Sequence, residues 1–399
     1  MQANWRIGSI WGIPLYVDSS WFLIMILLTI SNGSELSQDG KLILGWLFGL
    51  IMAFSLFASI LLHELGHSLV AKSQGIPVKS INLFLLGGFA TLEQESKTPS
   101  SAFQVAVAGP VVSMLVAVSF WLASQGAQEV SLTYKLTSHV ANINLIWGLF
   151  NLIPALPLDG GQLLKAAVWK FTGSRLTGIR WAASIGKASG YMGITFGLLG
   201  LILANSFSCL LIALLGWFIL RSANAHERLA SLQGSLLEIK AAGVMTREFR
   251  VVNAKLTLQD FAQEYVRASE HNLKPYYAAS DGRYRGLLSI QDLQAAERST
   301  WANKTLEEIV HPLTDIPSVP EKANLLEVIH RLEEENLNRI TVLSPAGTVA
   351  GVIDKGDLVA AIAAKNNLFI PPGEIKRIKA EGTYPPGLQL RVITKMMAD

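Results

Sequence analysis

Cysteine is almost absent from this chain of 399 residues, whose one cysteine is Cys209. An intrachain disulfide is therefore excluded, and so is a metal site built from several cysteines. The chain also lacks a dense basic patch with interleaved aromatic residues, so nucleic acid is not expected as a partner. No small-residue cleavage site follows the first apolar run, and we expect that run to be retained rather than removed as a signal peptide.

Charge is scarce over positions 1–220, which hold 11 Lys/Arg and 8 Asp/Glu, whereas positions 221–399 hold 22 of each. The first part has the composition of a membrane domain and the second that of a soluble domain. Candidate membrane spans lie at about 11–30, 42–70, 102–123, 140–157, 188–204 and 206–220. The predicted fold is a polytopic α-helical membrane domain of about six transmembrane helices, residues 1–225, followed by a soluble α/β domain.

The Lys and Arg residues between these runs predict the orientation, because such residues accumulate on the cytoplasmic side of a membrane. With the N-terminus inside, the outer loops carry only Lys41 and Lys135. The inner segments carry Arg6, Lys72, Lys79, Lys97, Lys165, Lys170, Arg175, Arg180, Lys187, Arg221 and Arg228. We therefore expect a multi-pass protein of the cell membrane whose two termini and soluble domain are cytoplasmic.

His63, Glu64 and His67 form the pattern His-Glu-x-x-His near the end of the second apolar run. Ionisable side chains at membrane depth are costly unless they are paired, bound to metal or wetted by a cavity. Histidines four residues apart share one helix face and can bind one Zn²⁺ there, with the intervening glutamate suited to be a general base. The alternative is a chance match of five residues, which the apolar surroundings disfavour.

Asp159 is the acidic residue nearest the inner end of the fourth run, at the same predicted depth as the two histidines. A carboxylate would complete a set of two histidines and one acid and leave a zinc position open for water. Pro154 and Pro157 would end the helix before it, and Gly160-Gly161 would allow a close backbone approach. The alternative role for Asp159 is to cap the helix predicted over 161–171.

These two segments together, His63 to His67 and Asn151 to Gly161, resemble the site-2 protease family of intramembrane metalloproteases. Gly87-Gly88 and residues 108–113 are similar to further patterns of that family. The resemblance implies that His63, His67 and Asp159 bind one zinc ion per chain, that Glu64 is the catalytic base, and that Asn151 lies near the reacting carbonyl. Asn151 could instead bond a helix neighbour.

A glycine-broken segment at 78–92 is too short for a span and predicts a hairpin or re-entrant loop. Its edge could pair with an unwound substrate by strand addition. The alternative is a loop that only dips into the membrane interface.

The soluble half contains an internal repeat, since the pattern at 286–293 recurs at 351–358. Each copy predicts strand, helix, two strands and helix. The pair resembles tandem cystathionine-β-synthase (CBS) repeats, at 235–300 and 301–365, which implies an adenosine-nucleotide cleft and pairing of two chains into a homodimer.

By that resemblance Asp292 and Asp357 would hold ribose and Ser289 would lie near phosphate. Asp354 replaces Ser289 in the second copy and would repel phosphate. The alternative is a packing or dimerisation module without ligand. The tail at 366–399 shows no periodicity, so it predicts disorder or packing against the membrane domain.

The function predicted from these features is an intramembrane zinc endopeptidase in the lipid bilayer. Its substrates would be transmembrane segments of anchored regulators, such as an anti-sigma factor or a membrane-tethered transcription factor, with gating by the CBS pair. The alternative is a transporter or channel regulated by that pair.

Overall fold

The computed structural model of the protein describes residues 5–37, 42–84, 87–127, 131–204, 206, 208–266, 274–385 and 390. The chain divides into two compact units, Met1–Ala230 and Ser231–Asp399.

Within the described residues, seven helices begin in the first unit. They are α1 Ser20–Ser37, α2 Leu42–Ser73, α3 Pro99–Gln125, α4 Leu132–Asn151, α5 Asp159–Thr172, α6 Arg175–Leu203 and α7 Ser208–Glu238. An α-helix rises 1.5 Å per residue, so about 20 residues cross a hydrocarbon core of about 30 Å. By length and apolar composition α2, α3, α6 and α7 could each cross a membrane. Helices α1 and α4 occupy the two other predicted places, and α1 has a shorter apolar stretch, Ser20–Ser31.

The first predicted span was wrong over residues 11–17, which form a turn and a strand instead of a helix. Strands β1 Trp5–Ile10 and β2 Ile13–Val17 pair antiparallel. The turn between them consists of Trp11 and Gly12, both with positive φ (49° and 81°), as in tight hairpin turns. Alternate residues of β2 are buried, which is the period of a half-buried strand and not that of a helix.

The predicted hairpin is confirmed: β3 Val78–Phe84 and β4 Gly87–Leu92 pair antiparallel. Leu85 and Leu86, at its tip, lie outside the described residues. Strand β3 also pairs in parallel with β2, giving the sheet order β1-β2-β3-β4. Strand β4 therefore lies at the edge of this sheet, and none of the described strands pairs with its outer side.

The fourth predicted span begins earlier and ends earlier than expected. Helix α4 starts at Leu132 after a Ser131 cap, whose side chain accepts from the Tyr134 N–H at 3.1 Å, and ends at Asn151. Residues 152–158 form an irregular turn, as the two prolines there predict.

The second unit is α/β, and its two repeats have the predicted element order. The first contains β5 Arg250–Asn253, α8 Leu258–Phe261, β6 Tyr276–Ser280, β7 Arg283–Leu288 and α9 Ile290–Ala295. The short strand β8 His311–Pro312 pairs with β7. The second repeat contains β9 Ser318–Pro320, α10 Leu325–Glu334, β10 Arg339–Leu343, β11 Val349–Asp354 and α11 Lys355–Lys365. The sheet orders are β5-β6-β7-β8 and β11-β10-β9. Leu325, Val328, Ile329 and Leu332, at helical spacing, are buried in the core as expected.

The described part of the tail forms a helix, α12 Pro372–Glu381. It packs on α11 of the second repeat. Residues 386–389 and 391–399 lie outside the described residues. Disorder, one of the two alternatives predicted for the tail, is wrong for α12, and the other, packing on the membrane domain, stays a prediction. The predicted order of an apolar helical domain followed by an α/β repeat domain is confirmed.

Candidate metal and catalytic site

Three side chains from two separate parts of the chain converge inside the helical unit. His63 and His67 lie one turn apart on α2, and their Nε2 atoms are 3.2 Å apart. Asp159, the first residue of α5, places Oδ2 2.9 Å from Nε2 of His63 and 3.3 Å from Nε2 of His67. Within the described part of the chain, this is the one group of three His, Cys, Asp or Glu residues whose ligand atoms are close enough to hold a metal ion.

The spacing of these three atoms fits a tetrahedral metal. Two ligand atoms about 2.0–2.1 Å from zinc at a tetrahedral angle lie about 3.3–3.4 Å apart, close to the separations seen here. Nδ1 of His67 is 2.7 Å from the carbonyl oxygen of Val105. A carbonyl only accepts, so Nδ1 donates, and Nε2 of the neutral ring presents a lone pair to the cluster. Nδ1 of His63 is 3.0 Å from the Ser113 hydroxyl oxygen, and either atom can be the donor of this hydrogen bond.

Glycines on α2 and α3 allow the two helices to meet at the histidines. A Cβ on Gly66 would lie 2.9 Å from Cγ2 of Val112 and 3.0 Å from the carbonyl oxygen of Ala108. A Cβ on Gly109 would lie only 2.3 Å from Nε2 of His67 and 2.6 Å from Nε2 of His63. Gly109 therefore leaves the space in which the two ligand atoms meet.

The turn before α5 positions Asp159. A Cβ on Gly160 would meet the carbonyl oxygens of Leu152 and Ile153 at 2.3 Å, and one on Gly161 would meet the nitrogen of Leu156 at 2.4 Å. The predicted close approach at the two glycines is confirmed. Leu158 is the residue at the N-cap, and Asp159 directs its carboxylate to the histidines instead of capping the helix.

Glu64 is buried, 8% exposed, directly beside His63. A Cβ on Gly88 would lie 3.0 Å from Cγ of Glu64, so the edge strand β4 passes next to this carboxylate. Asn151, the last residue of α4, is also buried.

The sequence assigns no role to Val105 and Ser113, which are within hydrogen-bond distance of the two histidine rings. It assigns none to Gly109 either. The sequence at 108–113 shows small residues beside Pro110 in an apolar helix, but this pattern does not say what they contact.

The residues predicted to bind nucleotide occupy different surroundings in the two repeats. In the first, Ser289 caps α9 by accepting from the Gln291 N–H at 3.2 Å, and Asp292 contacts Nε2 of His311 at 2.6 Å. In the second, Asp357 accepts from the Asp354 N–H at 3.1 Å and lies 2.6 Å from Nζ of Lys379. Burial raises the pKa of Asp357, and the Lys379 ammonium only partly offsets that rise.

The chain is similar to known families and proteins. The profile of peptidase family M50 matches residues 51–140 and 123–192, and the CBS domain profile matches residues 306–364. A Synechocystis sp. protein named as a zinc metalloprotease is 36% identical over 364 residues, which cover 91% of this chain and 96% of that protein. Rip3 of Mycobacterium tuberculosis, also named as a zinc metalloprotease, is 29% identical over 362 residues, 89% of this chain and 92% of Rip3. The site-2 protease structure from Methanocaldococcus jannaschii is 30% identical, covers 56% of this chain and 95% of its own, and aligns with a TM-score of 0.43.

Apolar helices that carry a cluster of two histidines and one carboxylate define a membrane metallopeptidase. The chain belongs to peptidase family M50, the site-2 proteases, and is a zinc metalloendopeptidase with a CBS domain. The family resemblance read from two motifs is confirmed, and the transporter or channel alternative is set aside.

Proposed function

We propose that the chain is an intramembrane endopeptidase in which His63, His67 and Asp159 bind one zinc ion and Glu64 is the general base. The observation that carries this proposal is the convergence of two Nε2 atoms and one carboxylate oxygen, 2.9–3.3 Å apart, with Glu64 buried beside them. Nε2 of His67 presents a lone pair because Nδ1 donates to the Val105 carbonyl, and Nε2 of His63 does so when its Nδ1 donates to the Ser113 hydroxyl.

The chemistry follows from these positions. When bound, zinc supplies a Lewis acid that polarises the scissile carbonyl and lowers the pKa of water from about 15.7 to about 7. Glu64 takes the proton from the attacking water and then gives a proton to the leaving amine, so that the amine departs neutral. The Asn151 amide donates a hydrogen bond to the oxygen of the attacked carbonyl.

The substrate is a membrane-anchored protein whose transmembrane helix reaches this site. Carbonyls in a helix are engaged in i to i−4 hydrogen bonds, so the helix must unwind locally before a peptide bond can react. An anti-sigma factor or another membrane-tethered regulator has the required form. We place both termini and the CBS region in the cytoplasm, because eleven inner and two outer Lys/Arg fit that orientation.

Strand β4 is the proposed binding edge for the unwound substrate, since its outer side is unpaired among the described strands and it passes Glu64. Proline in place of Phe89 removes the N–H that faces Asn82 of β3, and so distorts β4 as a binding edge. We expect Phe89→Pro to slow cleavage of a helical substrate at least about tenfold more than cleavage of an already unfolded one, because strand addition stabilises the unwound state.

Initial rates on the two substrates, which share one cleavage sequence, measure this difference. Phe89→Ala is the control, because it removes the ring from its edge contact with Phe84 but keeps the N–H. Equal slowing of both substrates by Phe89→Pro would contradict strand addition.

Metal removal tests the proposed function directly. We expect the purified protein in lipid vesicles to cleave a membrane-spanning substrate, and 1,10-phenanthroline to reduce that cleavage at least about 100-fold because the Lewis acid is lost. Zinc added back should restore it. The isomer 1,7-phenanthroline, which does not chelate, is the control. Full cleavage by protein shown to be free of metal would contradict the proposal.

At the CBS region, nucleotide binding and pairing of two chains stay predictions. Ser289 and Asp292 of the first repeat are its candidate ligand residues, and the Asp292 side chain is 37% exposed and available to a ligand that displaces His311. Nucleotide bound there would gate substrate entry.

A further inference from the structure

Three charged residues are buried where β11 meets α11 in the second repeat. Asp354 is 4% exposed, and Lys355 and Asp357 are each 8% exposed. Asp354 and Asp357 bond each other's backbone N–H at the start of α11, at 2.9 and 3.1 Å. Buried charges are costly unless partners of opposite charge or polar groups face them. Their partners therefore decide whether this junction is stable.

Those partners come in large part from the C-terminal tail. Nζ of Lys379, on α12, lies 2.6 Å from Asp357, 3.5 Å from Asp354 and 3.7 Å from Glu248. Three carboxylates thus converge on one ammonium. The tail also covers Lys355, whose Nζ lies 5.3 Å from the centre of the Tyr384 ring. The same Nζ lies 3.7 Å from an oxygen of Glu333 on α10.

The backbone of α11 is shaped for this contact. A Cβ on Gly356 would lie 2.4 Å from Cγ of Lys379 and 3.1 Å from the carbonyl oxygen of Ile375. Only glycine lets α12 approach this closely. Helix α12 has its own support, because Arg377 pairs with Glu374 and Glu381, and it ends at Gly382, where φ is +67°.

The internal repeat supplies a comparison. When its two copies are aligned, Gly356 and Asp357 correspond to Gln291 and Asp292 of the first repeat. Gln291 has a side chain where the second repeat has none, and the Asp292 side chain is 37% exposed and contacts His311. The aspartate that is partly exposed in the first repeat is thus covered by α12 in the second, where Asp354, Asp357 and Glu248 form an acidic pocket around Lys379.

We propose that α12 is the resident occupant of the second repeat's pocket, held by Lys379 between Asp354, Asp357 and Glu248, and that it closes this pocket to diffusible nucleotide. The second repeat then differs from the first in function: it binds a segment of its own chain. This inference is independent of the proteolytic site.

Hydrogen exchange of the α12 backbone amides in the full-length protein tests the docking. We expect Lys379→Met and Gly356→Ala each to speed exchange in α12 at least about tenfold, while β10 and β11 keep their protection. Gly356→Ala puts a methyl group where Lys379 lies, although alanine favours α11 itself. Lys376→Met, at an exposed position of the same helix, is the control and should leave exchange within about twofold of wild type.

Unchanged protection of α12 in Lys379→Met would overturn the proposal, and this variant decides the question if Gly356→Ala also loosens β10 and β11. Equilibrium dialysis of the wild-type chain with AMP and with ATP tests the closed pocket. At most one nucleotide per chain is expected. Two per chain, with α12 still protected, would also overturn the proposal.

Discussion

Glu64→Gln is expected to slow cleavage strongly and leave zinc bound. Glutamine has the size of glutamate but cannot take a proton, and Glu64 is beside the proposed ligands without being one of them. Because a positioned general base contributes about 100- to 10,000-fold, we expect the cleavage rate to fall about 1,000-fold. Metal analysis of the purified variant should still give about one zinc per chain.

Asp159→Ala is the informative comparison, because it removes a proposed ligand instead of the base. Zinc binding should weaken or be lost, together with activity, since only two histidines remain to hold the ion. Full zinc and full activity in Asp159→Ala would refute the proposed ligand set. A Glu64→Gln protein that cleaves at the wild-type rate would refute the proposed base.

Gly109→Ala is expected to have the second large effect, through one added methyl group. Its Cβ would lie 2.3 and 2.6 Å from the two Nε2 atoms, so the rings must turn away from each other and from Asp159. Helix α3 cannot easily move aside, because it meets α2 closely at Gly66. We expect zinc content to fall to about a tenth or less and cleavage to fall at least about 100-fold.

Loss of folding is not the expected cause, because alanine favours a helix interior over glycine by about 1 kcal/mol. Gly126→Ala, at the end of the same helix, is the control, since its nearest atom would be 3.8 Å away. Thermal unfolding monitored by circular dichroism should show both variants folded. Stoichiometric zinc and wild-type cleavage in Gly109→Ala would contradict the role assigned to this glycine.

Much of the proteolytic site could be predicted from local sequence. His63, Glu64 and His67 lie within five consecutive positions of one helix, and their mutual placement depends only on the helical period. Asp159 lies far along the chain from them, and loop charges and hydropathy were enough to assign it to the same depth. The structure brings all three proposed ligands together.

Elements that depend on distant partners were predicted less well. The sequence predicts a helix that includes residues 11–17, because a short apolar run does not by itself distinguish strand from helix. Strand β2 pairs with β3, although α1 and α2 lie between these two strands in the sequence. No local sequence pattern encodes that pairing. Helix α12 was missed for a related reason, since its ion pairs with Asp354 and Asp357 stabilise it only after the second repeat has folded.

The sequence by itself determined the two-part composition, the histidine and glutamate motif, the acid proposed to complete the metal site and the internal repeat, because each depends on residue type, spacing or charge along the chain. Only the tertiary structure decided that Gly109 leaves space for the histidine rings, that Val105 and Ser113 orient them, and that Lys379 occupies the acidic pocket. These depend on close approach between helices, and such contacts follow from three-dimensional packing, which residue order alone does not reveal.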